Sequence, residues 1–202
     1  MKETESEMFC PSSRKEWRQW LKKNHKIKPS VWLVYYKKNS NKPSLTWSEA
    51  VEEALCFGWI DSTARPIDAE RYKQFFSVRK PKSVWSKINK EKVKTLIEKG
   101  LMTELGYKSI EVAKQNGSWN VLDEVEEYII PKDLEQEFKT KPGSKEYFLT
   151  IPNSIRKAIL QWLLLAKKPE TRQNRIKEIA ELASQQLRPK QFYPVKKGEK
   201  KK

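Results

Sequence analysis

The sequence predicts an α+β protein: a small mixed sheet with packed helices in the first half and an all-helical second half. Three observations lead there. Val31-Trp-Leu-Val-Tyr-Tyr36 is a run of β-branched and aromatic residues, as expected of a strand buried on both faces and central in its sheet. Residues 72–79 alternate, Tyr72, Gln74, Phe76 and Val78 against Lys73, Phe75, Ser77 and Arg79, with the period of two that marks a strand. From Ser86 onward the apolar residues recur at helical spacing instead.

Taken in order, Ser13 and Glu16 read as a capping box that opens a helix over residues 14–23, with Trp17, Trp20 and Leu21 on one face. Pro29 ends that segment, the central strand covers 31–36, and 37–43 is a polar loop. Thr46 and Glu49 form a second capping box for a helix over 47–57, whose buried stripe carries Val51, Ala54 and Leu55. Gly58 stops it, because glycine alone enters the left-handed turn cheaply. Strands over 60–64 and 71–78 flank a loop containing Pro66. A helix from Ser86 to Gly100 places Ile88, Val93, Leu96 and Ile97 on its inner face, and another spans 103–115. Beyond Pro131 a short helix covers 132–139, Pro152 starts a further one, and Pro169 opens the last. The buried face of that last helix is expected at Ile176, Ile179, Ala180, Ala183 and Leu187.

The domain layout that follows is a disordered N-terminus at 1–13, an α/β core at 14–117, a helical subdomain at 118–188 and a basic flexible tail at 189–202. Apolar content of 37% with eight Trp, seven Tyr and seven Phe is that of a packed chain. The charge is lopsided, 42 basic residues against 26 acidic for a net +16. Residues 196–202 hold +4 of it, which leaves +12 on the body. Such a balance favours anionic partners, whether nucleic acid or an anionic small molecule; the alternative is a set of solvated lysines plus a tail. With only Cys10 and Cys56, a disulfide framework is not expected. No signal peptide and no transmembrane segment is visible, which suggests a cytoplasmic protein. No protein partner can be named.

Catalytic signatures are missing. The lone His25 lies in a polar, lysine-flanked helix end, and two separated cysteines cannot complete a zinc site or a nucleophile–base pair. The six glycines make no phosphate loop, and Glu52-Glu53 and Glu126-Glu127 read as solvated helix charges. No metal and no cofactor is implied. One constellation remains: Arg79 and Lys80 at a strand end, Pro81 after them, then Ser83, Trp85 and Ser86 before a helix that carries Asn89. Two cations beside a helix N-terminus can hold an anion. Trp85 would supply a flat wall, and Asp61 would orient Arg79 through a bidentate pair. The structural alternative makes Ser83 or Ser86 only an N-cap, Trp85 a core anchor and Asp61 a strut.

The same residues carry a resemblance. Ala54-Leu-Cys-Phe-Gly-Trp-Ile-Asp-Ser62 followed by Phe76, Arg79, Ser83, Trp85, Ser86 and Asn89 is similar to the signature of the YdeI/OmpD-associated, or bacteriocin-protection, family. Glu170-Thr-Arg172 and Arg175-Ile176 resemble its helical ending. The chain departs from the pattern at Val78, where the resemblance leads us to expect proline. The resemblance implies an intracellular role in tolerance of antimicrobial peptides or envelope stress, since a chain at +16 would repel cationic peptides instead of sequestering them. Two other classes stay open: a nucleic-acid-binding module that uses the basic surface, and a small-molecule enzyme or sensor centred on Asp61, Arg79 and Trp85.

Overall fold

A computed structural model describes residues 7–193. The chain divides after Val121 into two compact units. The first is built on a four-stranded sheet in the order β1 (Met8–Phe9), β2 (Ser30–Tyr36), β4 (Arg71–Val78), β3 (Trp59–Pro66). β1 runs parallel to β2, while β2–β4 and β4–β3 are antiparallel. Helices α1 (Arg14–Asn24) and α2 (Trp47–Cys56) supply the apolar side chains that cover one face, and α3 (Lys87–Glu98) and α4 (Glu104–Gln115) complete the unit.

β2 is interior, and Val31, Leu33 and Tyr35 point into the core with Phe76 of β4. Trp17 of α1 sits against Phe76 at 5.5 Å between ring centres and against Trp20 at 5.2 Å. Large rings in offset or edge contact bury the most apolar area per residue, so these carry much of the packing. Thr46 and Glu49 form the complete reciprocal capping box of α2. At α1 the box is incomplete: Ser13 accepts from the Glu16 amide, but the Glu16 carboxylate reaches back to the amide of Ser12.

Several expectations need correction. Residues 8–9, assigned to a disordered leader, form β1, because Trp32 donates its amide to the Glu7 carbonyl and Phe9 stacks on Trp20 at 5.8 Å. Ile88 and Ile97 are exposed and only Val93 and Leu96 of α3 are buried, since a helix packed along one edge buries a narrow stripe. Glu53 is not a solvated charge. Its side chain is 3% exposed and held by Arg14 and Arg18, each at 2.6 Å, while Glu52 pairs with Arg14 and Lys92.

The second unit is all-helical: α5 (Asp123–Glu126), α6 (Lys132–Lys139), α7 (Ser144–Thr150), α8 (Asn153–Leu164) and α9 (Pro169–Ser184), then a 3-10 turn at Lys190–Phe192. Its core joins Leu134, Phe138, Phe148, Ile159, Leu163, Ile176, Ile179 and Ala183. Leu187, placed on the buried face of α9, is exposed, because the helix ends at Ser184 and Gln186 turns the chain with φ of +57°. Phe192, placed in a flexible tail, packs on Trp162 at 5.8 Å; residues 196–202 lie outside the described residues. Arg172 and Arg175 do not pair with Glu178 or Glu181. Arg172 makes a bidentate pair with Asp133 of α6, and Arg175 lies over Trp162 and donates to its carbonyl at 2.5 Å. Among the described residues no helix is long and apolar enough to cross a membrane.

Candidate functional site

The site begins with two close backbone approaches. Gly58, with φ of +71°, ends α2 in the left-handed region, and a Cβ there would stand 2.9 Å from the Leu105 carbonyl oxygen. Gly106, in the first turn of α4, faces the Cys56 carbonyl so closely that any Cβ would overlap it. That carbonyl also accepts from the Thr103 amide and hydroxyl, at 3.1 and 2.6 Å. Two glycines and a threonine cap therefore seat the start of α4 on the end of α2. Lys108 and Ser109 are thereby carried to the end of β4.

Arg79 follows β4, and its amide donates to the Gly58 carbonyl at 2.9 Å. The side chain folds back under the turn that follows, where Nη1 donates to the carbonyls of Val84 at 3.0 Å and Ser83 at 3.5 Å. The guanidinium carbon lies 3.7 Å from the centre of the Trp85 ring, a desolvated cation–π stack. Arg79 is 8% exposed, yet its Nε and Nη2 are buried with no hydrogen-bond partner, and so are the indole N–H groups of Trp59 and Trp85. Buried donors normally find acceptors. Arg79 thus carries two donors without acceptors, and Trp85, the ring it stacks on, carries one more. Burial brings the Arg79 guanidinium down to about 10, and the charge of Asp61 opposes that only in part. It stays a cation at neutral pH.

A cavity of about 200 Å³ opens beside it, lined by His25, Trp59, Arg79, Lys80, Lys108 and Ser109 among others, with no carboxylate among the described residues of its wall. Of the residues singled out in sequence, Arg79 and Lys80 line the cavity, while Ser83 (through its carbonyl) and Trp85 contact the Arg79 side chain without lining it. Asp61 does not join them: its carboxylate accepts from Trp47 Nε1 at 3.0 Å and Gln74 Nε2 at 2.8 Å, just before the bulge in β3. Ser86 is the N-cap of α3 and accepts from the Asn89 amide, so that helix start is closed by its own cap. Neither of the two lines the cavity. His25, set aside as a surface residue, lines it, with Nδ1 at 2.7 Å from the Leu21 carbonyl and its ring 5.0 Å from Phe57. Lys108 and Ser109 were missed because the α4 pattern shows helix periodicity but not where its polar side goes. The one available signal was Gly106, a poor helix former in a first turn.

A larger cavity of about 530 Å³ lies between α1, α2 and α3, lined by Arg14, Arg18, Glu52, Glu53 and Lys92. These five charges are paired with one another in an ion-pair network. No group of three or more potential metal ligands occurs among the described residues.

Two family models match the chain. One, described as a domain of unknown function (DUF8412), covers residues 9–109, half of the sequence. The chain belongs to that family. The second, described as bacteriocin-protection, YdeI or OmpD-associated, matches residues 127–186. The YdeI/OmpD-associated match thus falls on the helical unit and includes Arg172 and Arg175. The stretch 54–89, on which the resemblance chiefly rests, lies inside the DUF8412 match together with the whole Arg79 constellation. No curated protein and no solved structure matches the chain.

Proposed function

We propose that the chain binds a small phosphate-bearing anion in the cavity at Arg79. The observation that carries the reading is the set of buried donors without acceptors, Arg79 Nε and Nη2 and Trp59 Nε1, beside a wall that holds Lys80 and Lys108 and no carboxylate. These donors are sealed from solvent, so a phosphoryl oxygen reaches them only with a small shift of the 80–84 turn; charge-assisted bonds to a guanidinium are about twice as strong as neutral ones. Trp85 keeps the guanidinium flat and fixed, so little side-chain entropy is lost on binding. A part in tolerance of antimicrobial peptides or envelope stress goes with this reading. It is suggested by the family description of residues 127–186, with the anion as the signal to which the protein responds.

Thermal unfolding in inorganic phosphate, sulfate, pyrophosphate and mononucleotides tests this. A ligand at a hundred times its Kd stabilises by about 2.7 kcal/mol, so at least one of these anions should raise the midpoint where chloride at equal ionic strength does not. Lys108→Gln, at an exposed helix position, should fold normally and lose most of the effect. Arg79→Lys, which keeps charge but not the fork, should weaken it at least tenfold. Protection by none of the anions, or equal protection of the Lys108→Gln protein, overturns the proposal.

A further inference from the structure

The sheet has a second face, opposite the one that α1 and α2 cover. Side chains alternate across a strand, so with Val31, Leu33, Tyr35, Phe76 and Gln74 in the core, Trp32, Val34 and Tyr36 of β2 and Phe75 and Lys73 of β4 stand on the opposite side, where Val34 is buried and the other four are half-buried. The register lines them up. Met8, Trp32 and Phe75 form one row across three strands, and Val34, Lys73 and Arg65 form the next. Trp32 and Phe75 meet edge to face at 5.0 Å. Over the Trp32 ring stand two cations, Lys73 Nζ at 4.6 Å and the Arg65 guanidinium at 5.4 Å from its centre. Neither cation has a carboxylate within ion-pair distance among the described residues, whereas Arg71 and Lys42 nearby are taken by Asp68 and Glu70. Met8 at the edge is 60% exposed.

We infer that this face binds single-stranded nucleic acid: Arg65 and Lys73 swing from the Trp32 ring onto the backbone phosphates, and bases stack on Trp32 and Phe75. The chemistry selects that occupant. Rings partly open to solvent, interleaved with unpaired cations, match a strand that presents flat π-faces and one negative charge per nucleotide. A duplex hides its base faces and offers phosphates, sugars and base edges in its grooves instead. The net charge of +16 adds long-range attraction. This surface is separate from the Arg79 cavity: none of its four contact residues lines that cavity.

Fluorescence anisotropy of end-labelled twelve-mers of oligo-U and oligo-dT, beside a hairpin duplex of equal charge, tests it with the full-length chain. At low salt the single strands should bind and the duplex should bind at least tenfold more weakly. Trp32→Ala changes no charge, so a loss of about tenfold for single strands, with duplex binding unchanged, identifies stacking. Arg65→Gln with Lys73→Gln should make the salt dependence shallower and leave a fold that melts as wild type does. Arg79→Lys should leave oligonucleotide binding as it is, which separates this outcome from that of the cavity. The inference is overturned if single strands do not bind, if the duplex binds equally well, or if the Trp32→Ala protein keeps wild-type affinity while melting normally. In the last two cases the attraction is diffuse charge.

Discussion

Glu53 ties α1 to α2 through two arginines. Each of its carboxylate oxygens accepts one arginine, Arg14 through Nε and Arg18 through Nη1, and Arg18 also reaches the Leu101 carbonyl at 2.8 Å. A buried carboxylate is stable only while so paired, and loss of a partner leaves an uncompensated charge. Glu53→Gln keeps the volume and removes the charge. It should lower stability by roughly 1–3 kcal/mol, less than for a fully buried pair because both arginines reach solvent; the urea midpoint followed by tryptophan fluorescence checks it. At this scale the sequence was legible where chemistry and position coincide. Arg79, Lys80 and Trp85 are neighbours in the chain and stay neighbours in space. Glu53, His25 and Asp61 were misread because these partners lie 13 to 39 residues away, and nothing in the local pattern encodes that.

At the level of elements, the α2–α4 contact sets the site. Gly106 buys a closer approach than any other residue permits, and Thr103 bonds the Cys56 carbonyl across it. Gly106→Ala should force α4 away. Overpacking of this kind costs about 1–3 kcal/mol, outweighing the gain of up to roughly 1 kcal/mol in helix propensity, and it should weaken phosphate protection along with stability. Equal or higher stability in the alanine variant would refute this account. Here the sequence reads well: β4 is the predicted strand, α6 the predicted helix, and the Thr46 capping box is present in full. Missed were β1, two residues long, α5, a single turn, and α7, which is capped by Gly143 with no side-chain cap to announce it. Val78 belongs to this scale as well. Its amide donates to the Pro29 carbonyl at 3.1 Å, a bond that proline at this position could not make.

For the whole molecule, acid sensitivity follows from carboxylates in both units. Backbone and hydroxyl bonds from Thr46 hold Glu49 below its usual range. Burial alone would raise Glu52, but Lys92 and Arg14 outweigh it and hold it low. In the second unit Arg172 does the same for Asp133. A group depressed in the folded state stabilises above its unfolded pKa and stops doing so as pH falls through the folded value. The thermal midpoint should therefore be level from pH 7 to about 5 and fall below about pH 4. Glu52→Gln should flatten that fall; an unchanged acid limb would show that other groups govern it. All three carboxylates are largely solvent-screened, so the effects are modest.

The edges of the sheet carry a different message. At one side β1 occupies two residues of β2, and beyond it the Tyr36 amide is already bonded to the Ser44 hydroxyl at 3.2 Å. At the other, β3 loses register between Asp61 and Ala64 and ends in Pro66, which has no amide hydrogen to offer. Neither border presents the straight, unspent backbone that an incoming extended peptide needs for strand addition. Among the described residues, strand addition along either border of this sheet is therefore disfavoured.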